Sequence, residues 1–343
     1  MKQISLALAL AGLALGTLVI GWFGFGRVAE AALSVGWGGF MLLAACQVAL
    51  FAILGMAWRV LLPGRPGLLW VMTWGRMVRD SAASCLPFTA VGGIVAGARS
   101  VALGGIAWPL AIGSSMVDVT AEFLAQIAFV ALGLIVLLVR APDLELARPL
   151  AIGLAAAVAG GAGFVWLQLG AGRVFRALAG RIAAAGFADA ARRVDLLQAQ
   201  LAMLYERSGR LALAASLHLL GWIGTAVGSW IAFRLLGAAV DLASVVAIEA
   251  LLQMLLSAAF VVPGGIGVQE AGYATIGAAF GLPPEISLGV SLLRRARDLA
   301  FGVPVLLAWQ FMEARRMGRP GMVAGNLRRA NPRGLQKVEK SRS

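Results

Sequence analysis

Six predominantly apolar runs, at about 4–23, 38–58, 105–138, 149–169, 211–235 and 286–311, decide most of what this chain can fold into. About 20 apolar residues in helical form cross a hydrocarbon core of about 30 Å, so each run is read as a full crossing. The runs lack the polar–apolar alternation of a membrane β-barrel strand. Composition agrees: of 343 residues, 60% are hydrophobic and only 13% charged, well beyond an ordinary soluble domain. The expected fold class is an all-α integral membrane protein. The first run exceeds a cleaved signal segment in length and is read as a retained helix.

Charge orients the crossings. Residues 173–210 carry seven arginines against Asp189, Asp195 and Glu206, and 315–343 carry nine basic residues against Glu339. The segments expected on the other side, 24–36 and 140–148, balance Arg27 with Glu30, and Arg140 and Arg148 with Asp143 and Glu145. The positive-inside rule then places both termini in the cytoplasm of a bacterial inner membrane. The net charge of +13 sits in inter-helix segments and a tail, so no nucleic-acid partner is expected. Residues 1–314 read as one polytopic domain, with 173–210 as a cytoplasmic amphipathic connector, either beside the membrane or packed under the bundle. Residues 315–343 read as a basic, disordered tail drawn to anionic headgroups. Cys46, Cys85 and the single histidine, His218, form no ligand cluster, so no metal or cofactor is expected. His218 and Cys85 are read as packing residues. Among the tryptophans, Trp22, Trp70, Trp74 and Trp166 suit interfacial belts, and Trp108 and Trp222 deeper packing.

Two further apolar stretches, 70–100 and 242–280, are broken in the middle. "RMVRDSAASCLPFTAVGGIVAGAR" has Pro87, Gly92 and Gly93, and "SAAFVVPGGIGVQEAGYATIG" has Pro263, Gly264, Gly265 and Gly267. Proline ends a helix and glycine takes dihedrals closed to other residues, as a chain reversing inside hydrocarbon requires. Both stretches are read as re-entrant helical hairpins, the first entering from the cytoplasm and the second from outside. Each lies between two crossings, so the order span, hairpin, span occurs twice with opposite orientation. That is the inverted-repeat arrangement of alternating-access carriers, whose substrate site lies where the broken elements meet.

Ionisable residues at membrane depth are costly and face a bundle interior or aqueous cavity. Asp118 and Glu122 share one face of the third span, and Arg294, Arg297 and Asp298 interrupt the sixth. A network joining Asp118 and Glu122 to Arg294 and Arg297 is the expected arrangement, serving either register between the halves or lipid phosphate binding through arginine, with the acidic residues tuning charge or coupling a proton. Arg295 falls on another face and reads as a packing partner. Glu249 and Gln253 share a face of the second hairpin's entering arm. Glu270, on its returning arm, either accepts backbone N–H groups at the break or, like Glu249, serves headgroup binding or coupling. Arg76 and Arg79 read as a basic face near the cytoplasmic headgroups, either anchors or headgroup contacts, and Arg99 serves either role.

These motifs, with "SSMVDVTAEFLAQ", resemble the flippase-like membrane family that includes the transmembrane region of lysylphosphatidylglycerol synthase. The resemblance covers the chain to about residue 312 and is strongest toward the family's hopanoid-biosynthesis-associated subgroup. Pro87, Gly92, Gly93 and Arg99 match its first break, and Pro263, Gly264, Gly265, Gly267 and Glu270 its second. Where the family often has a glutamate after the first Gly-Gly pair, this chain has Ile94 and Val95. The resemblance implies lipid translocation across the inner membrane, linked to hopanoid biosynthesis or transport. Its implied partners are membrane lipids, either hopanoids or anionic phospholipids, and hopanoid-biosynthesis proteins. A lipid-modifying enzyme and a non-transporting accessory subunit are the alternatives, but no nucleophile–base pair stands out, and an enzyme is not expected.

Overall fold

The computed structural model describes residues 30, 33–62, 68–85, 89–140, 152–155, 158–160, 162–163, 166, 188–259, 262, 265 and 267–317. The expected first span, most of the fourth at 149–169, residues 173–187 of the connector and the tail from 318 lie outside the described residues, as do Pro87, Pro263 and Gly264.

The described elements are helices, numbered here in chain order. They are α1 (Gly36–Leu61), α2 (Leu68–Cys85), α3 (Thr89–Leu103), α4 (Trp108–Arg140) and α5 (Ala188–Tyr205). Then follow α6 (Ser208–Leu235), α7 (Leu242–Ala258), α8 (Val268–Ala279) and α9 (Pro284–Met317). Among the described residues, α1, α4 and α6 are long and apolar enough to cross a membrane, and α7 is a shorter apolar helix. α9 has 34 residues, so it has the length, but arginines and Asp298 occupy its middle. Large apolar side chains face outward, among them Trp37, Trp70, Ile135, Val139 and Phe311, as a lipid-facing surface requires. Trp108, expected to pack deeply, instead opens α4 and is 43% exposed, because the chain turns through Gly105 just before it.

Both broken stretches are pairs of helices, α2 with α3 and α7 with α8. In the first pair the arms nearly touch. A Cβ built on Gly93 would lie 2.8 Å from the Arg79 carbonyl oxygen, and one on Gly97 would lie 2.8 Å from Arg79 Cβ. Only glycine fits that approach. In the second pair the chain turns at Gly265 (φ 61°) and Gly267 (φ 78°), left-handed values that any side chain would strain. The Glu270 carboxylate then accepts the Gly267 N–H at 2.8 Å, capping α8 as the sequence leads one to expect.

Helix ends follow local chemistry. Asp241 caps α7 by accepting the Ser244 N–H at 3.1 Å. α6 ends at Gly237 (φ 85°), where the Ala238 N–H returns to the Phe233 carbonyl.

Among the described residues, the two largest apolar cores hold most of the helices together. One gathers Trp58 of α1, Met72 of α2, Val101 of α3, Val117 of α4 and Leu201 and Leu204 of α5. The other gathers Phe233 of α6, Ile248 and Leu252 of α7, Tyr273 of α8 and Leu293 of α9. α1 and α6 lie antiparallel, with Leu54 on Gly221, Leu50 on Gly224 and Leu235 on Gly39. α2 packs on α9, and α7 packs on α4. The connector helix α5 lies against α4, so this part of 173–210 packs on the bundle.

Candidate functional site

Between the two cores lies a cavity of about 440 Å³ with a charged lining. Its walls come from both hairpins and from the spans around them. Arg76, Asp80, Glu122 and His218 face it from one side, and Arg294, Arg295, Arg297 and Asp298 from the other.

The first side is built by α2 and α4. Arg76 and Arg79, three residues apart, project from one face of α2 toward Asp118 and Glu122, four apart on α4. Arg76 meets Glu122 at 2.6 Å, Asp80 at 2.8 Å and Asp118 at 3.4 Å. Arg79 meets Asp118 at 2.8 Å and Glu122 at 2.5 Å. Two forked donors thus share two forked acceptors, the geometry that makes arginine–carboxylate pairs strong. The remaining Asp118 oxygen, Oδ1, lies 2.9 Å from His218 Nε2 on α6. Asp118 is fully buried and His218 is 1% exposed. His218 Nδ1 has no partner among the described residues.

The second side is built by α7, α8 and α9. Glu249 accepts Arg294 at 2.7 Å, and its other oxygen accepts the Tyr273 hydroxyl. With its proton given to Glu249, the Tyr273 oxygen accepts from Arg294 and from the Ser229 hydroxyl, both at 3.3 Å. Arg295 meets Glu270 at 3.2 Å, and Arg297 meets its neighbour Asp298 at 2.9 Å. Ser291 donates to Glu270, and the Gln269 amide donates to Ser291, which ties α8 to α9.

Several expectations change. Asp118 and Glu122 pair with Arg76 and Arg79 rather than with Arg294 and Arg297, because the arginine side chains of α2 reach across to this face of α4. Arg76 and Arg79 are therefore not surface anchors: they are 4% and 9% exposed and bound to carboxylates. Arg295 is an ion-pair partner of Glu270 as well as a packing group. His218 is buried, as expected of a packing residue, but it also contacts the ionic cluster. Arg99 stands apart, half-exposed and paired with Glu313 at 2.6 Å. Asp118, Arg79, Glu249 and Glu270 stand behind the cavity lining and hold the residues that reach it. Gln269, Tyr273 and Ser291 were missed by sequence reasoning, although the position of Gln269 and Tyr273 just after the second break was a usable signal, as was that of Ser291 one turn before Arg294 and Arg295.

Arginine and carboxylate groups gathered around one partly open cavity can hold a charged or dipolar headgroup. Among the described residues no group of three or more His, Cys, Asp or Glu could hold a metal ion. The family described as lysylphosphatidylglycerol synthase TM region matches residues 9–305. No curated protein and no solved structure matches the chain.

Proposed function

The chain belongs to the lysylphosphatidylglycerol synthase transmembrane-region family, and from that premise we propose that it moves lipid headgroups across the bacterial inner membrane through the charged cavity. Membership carries a lipid-handling, flippase-like role at a multi-pass inner-membrane location, in contact with membrane lipids. The family is a non-catalytic membrane region, in keeping with a domain that is not an enzyme.

The finer reading is six crossings with both termini cytoplasmic and two re-entrant hairpins, α2–α3 and α7–α8, in inverted repeats. The helix pairings support it. Exchanging α1, α2 and α4 for α6, α7 and α9 turns the α2–α9 contact into the α7–α4 contact and maps α1–α6 onto itself. The antiparallel run of α1 against α6 is what two oppositely oriented repeats would produce.

The observation that carries the transport reading is the cavity itself. A polar headgroup crossing hydrocarbon alone loses its hydration. Here it would exchange water for Arg294, Arg297, Glu122 and Asp80 while its tails stay in lipid. The link to hopanoids rests on the sequence resemblance to the hopanoid-associated subgroup.

Reconstituting the full chain in vesicles and following labelled glycerophospholipids and hopanoids between leaflets tests this. Arg294→Ala and Glu270→Gln should each slow headgroup transfer by about tenfold or more, as loss of a charge-assisted contact implies, with helical content retained. Unchanged transfer in both variants would remove the cavity from the route. Chemical conversion of the lipid would instead favour an enzyme, and neither transfer nor conversion an accessory subunit.

A further inference from the structure

A second cavity, of about 600 Å³, opens beside the first between α4, α7 and α8. Its lining is almost wholly apolar, with Phe123, Ile127 and Val130 from α4, Met254 and Leu255 from α7 and Phe280 just past α8. The two polar side chains in it are Gln126 and Ser257. They bond to each other, the Gln126 amide donating to the Ser257 hydroxyl at 2.6 Å. Ser257 also lines the charged cavity.

The two spaces therefore adjoin at one hydrogen bond. Along α4 the change is a single turn: Glu122 faces the charged cavity, and Gln126 and then Val130, on the same helical face, line the apolar one. Along α7, Gln253 and Leu256 face the charged side while Met254 and Leu255 face the other. Ser257 lies in the last turn of α7, next to the break that leads to Gly265 and Gly267.

We propose that the apolar space seats a hydrocarbon tail of the same membrane lipid whose headgroup occupies the charged cavity, and that the Gln126–Ser257 bond is the seam that parts to let one molecule occupy both. The proposal rests on the transport reading and adds a tail site and a gate to it. A ligand with one charged and one apolar end fits a charged space joined to an apolar one. A small ion would leave the apolar space unused, and an unattached hydrocarbon would leave the charged one unused. Parting the seam costs little if Gln126 and Ser257 turn to the headgroup or its water, because each then exchanges one hydrogen bond for another.

The test uses the full chain carrying Gln126→Cys and Ser257→Cys, with Cys46→Ala and Cys85→Ala, in phosphatidylglycerol vesicles. Oxidation of both thiols by a short bis-methanethiosulfonate reagent, which bridges residues 126 and 257 through two disulfides, should lower lipid transfer at least about tenfold, and dithiothreitol should reverse the loss, because the covalent bridge spans a contact that must open. In the wild-type sequence, phosphatidylglycerol with a diazirine in its acyl chain should label Met254, Leu255 and Phe280 several-fold more than Ile135 and Val139. Those two are exposed elsewhere on α4 and report ordinary surrounding lipid. Equal labelling of both sets would overturn the tail site, and unchanged transfer in the oxidised protein would overturn the gate. Selective labelling in a wild-type protein that transfers no lipid would uphold the tail site and sink the transport reading instead.

Discussion

The two halves of the molecule place their charges in opposite ways. In the first half the hairpin arm α2 carries the arginines and the following span α4 carries the carboxylates. In the second half the helix pair carries the carboxylates, Glu249 on α7 and Glu270 on α8, and the following helix α9 carries the arginines. Both solutions put cation against anion within the half. They differ in how the buried carboxylate is held: Asp118, sealed from the cavity, meets two arginines and His218, whereas Glu249 meets Arg294 and the Tyr273 hydroxyl. The first cluster reads as a rigid wall and the second as the side that can release a partner to a ligand.

The largest expected effect tests the sealed side. Asp118→Ala leaves Arg76, Arg79 and His218 around a lost carboxylate and should cost about 3–5 kcal/mol, as breaking a buried pair does. Thermal unfolding in detergent measures it. Glu249→Gln, which keeps the shape and leaves Arg294 at the cavity, should cost less, about 1–3 kcal/mol. Equal losses would erase the distinction between the halves.

A double-mutant cycle sharpens the point. Glu249 and Arg294 should couple by about 1–3 kcal/mol, while Glu122 and Arg294, on opposite cavity sides without a shared bond, should add within about 0.5 kcal/mol. Strong coupling across the cavity would mean that the halves share counter-ions after all.

Smaller effects belong to the rim. Asp241→Ala removes the α7 cap and should cost about 1 kcal/mol. The Ser244 hydroxyl holds the Asp241 carboxyl below the usual carboxylate range. Its contribution is therefore present above the unfolded value of about 3.9 and is lost as pH falls through the lower folded value. A stability titration comparing wild type with Asp241→Ala should show the gap closing only in acid. Smallest of all, Arg99→Ala breaks the exposed pair with Glu313 and should change stability by less than about 1 kcal/mol, with salt shrinking even that.

Much of this was legible in the sequence, and the reasons differ by feature. The long apolar runs at α1, α4 and α6 were readable because span length is set by the bilayer. Both breaks were readable because a proline and a Gly-Gly pair fall together in one apolar run, whereas single glycines there also serve helix packing, as Gly221 and Gly224 do. Glu270 as a cap was one of two readable roles, because a carboxylate at the start of the returning helix meets its free N–H groups. The partners of Asp118 and Glu122 were not readable. Partner choice depends on which helix lies alongside and how far it is rotated, and chain order gives neither. Arg76 and Arg79 looked like anchors because arginine near a crossing has the same composition whether it faces headgroups or a buried carboxylate. His218 was set aside for lack of a second histidine, a rule that applies to metal sites and not to a contact with one aspartate.

The near contact of the hairpin arms at Gly93 and Gly97 has an electrical consequence. The segment of α2 that α3 touches there is the one bearing Arg79, whose guanidinium reaches across to Asp118. A single methyl group at residue 97 would push that arm outward and lengthen the reach, so an ion pair on a third helix is held at its distance by hydrogen atoms standing where side chains would otherwise be.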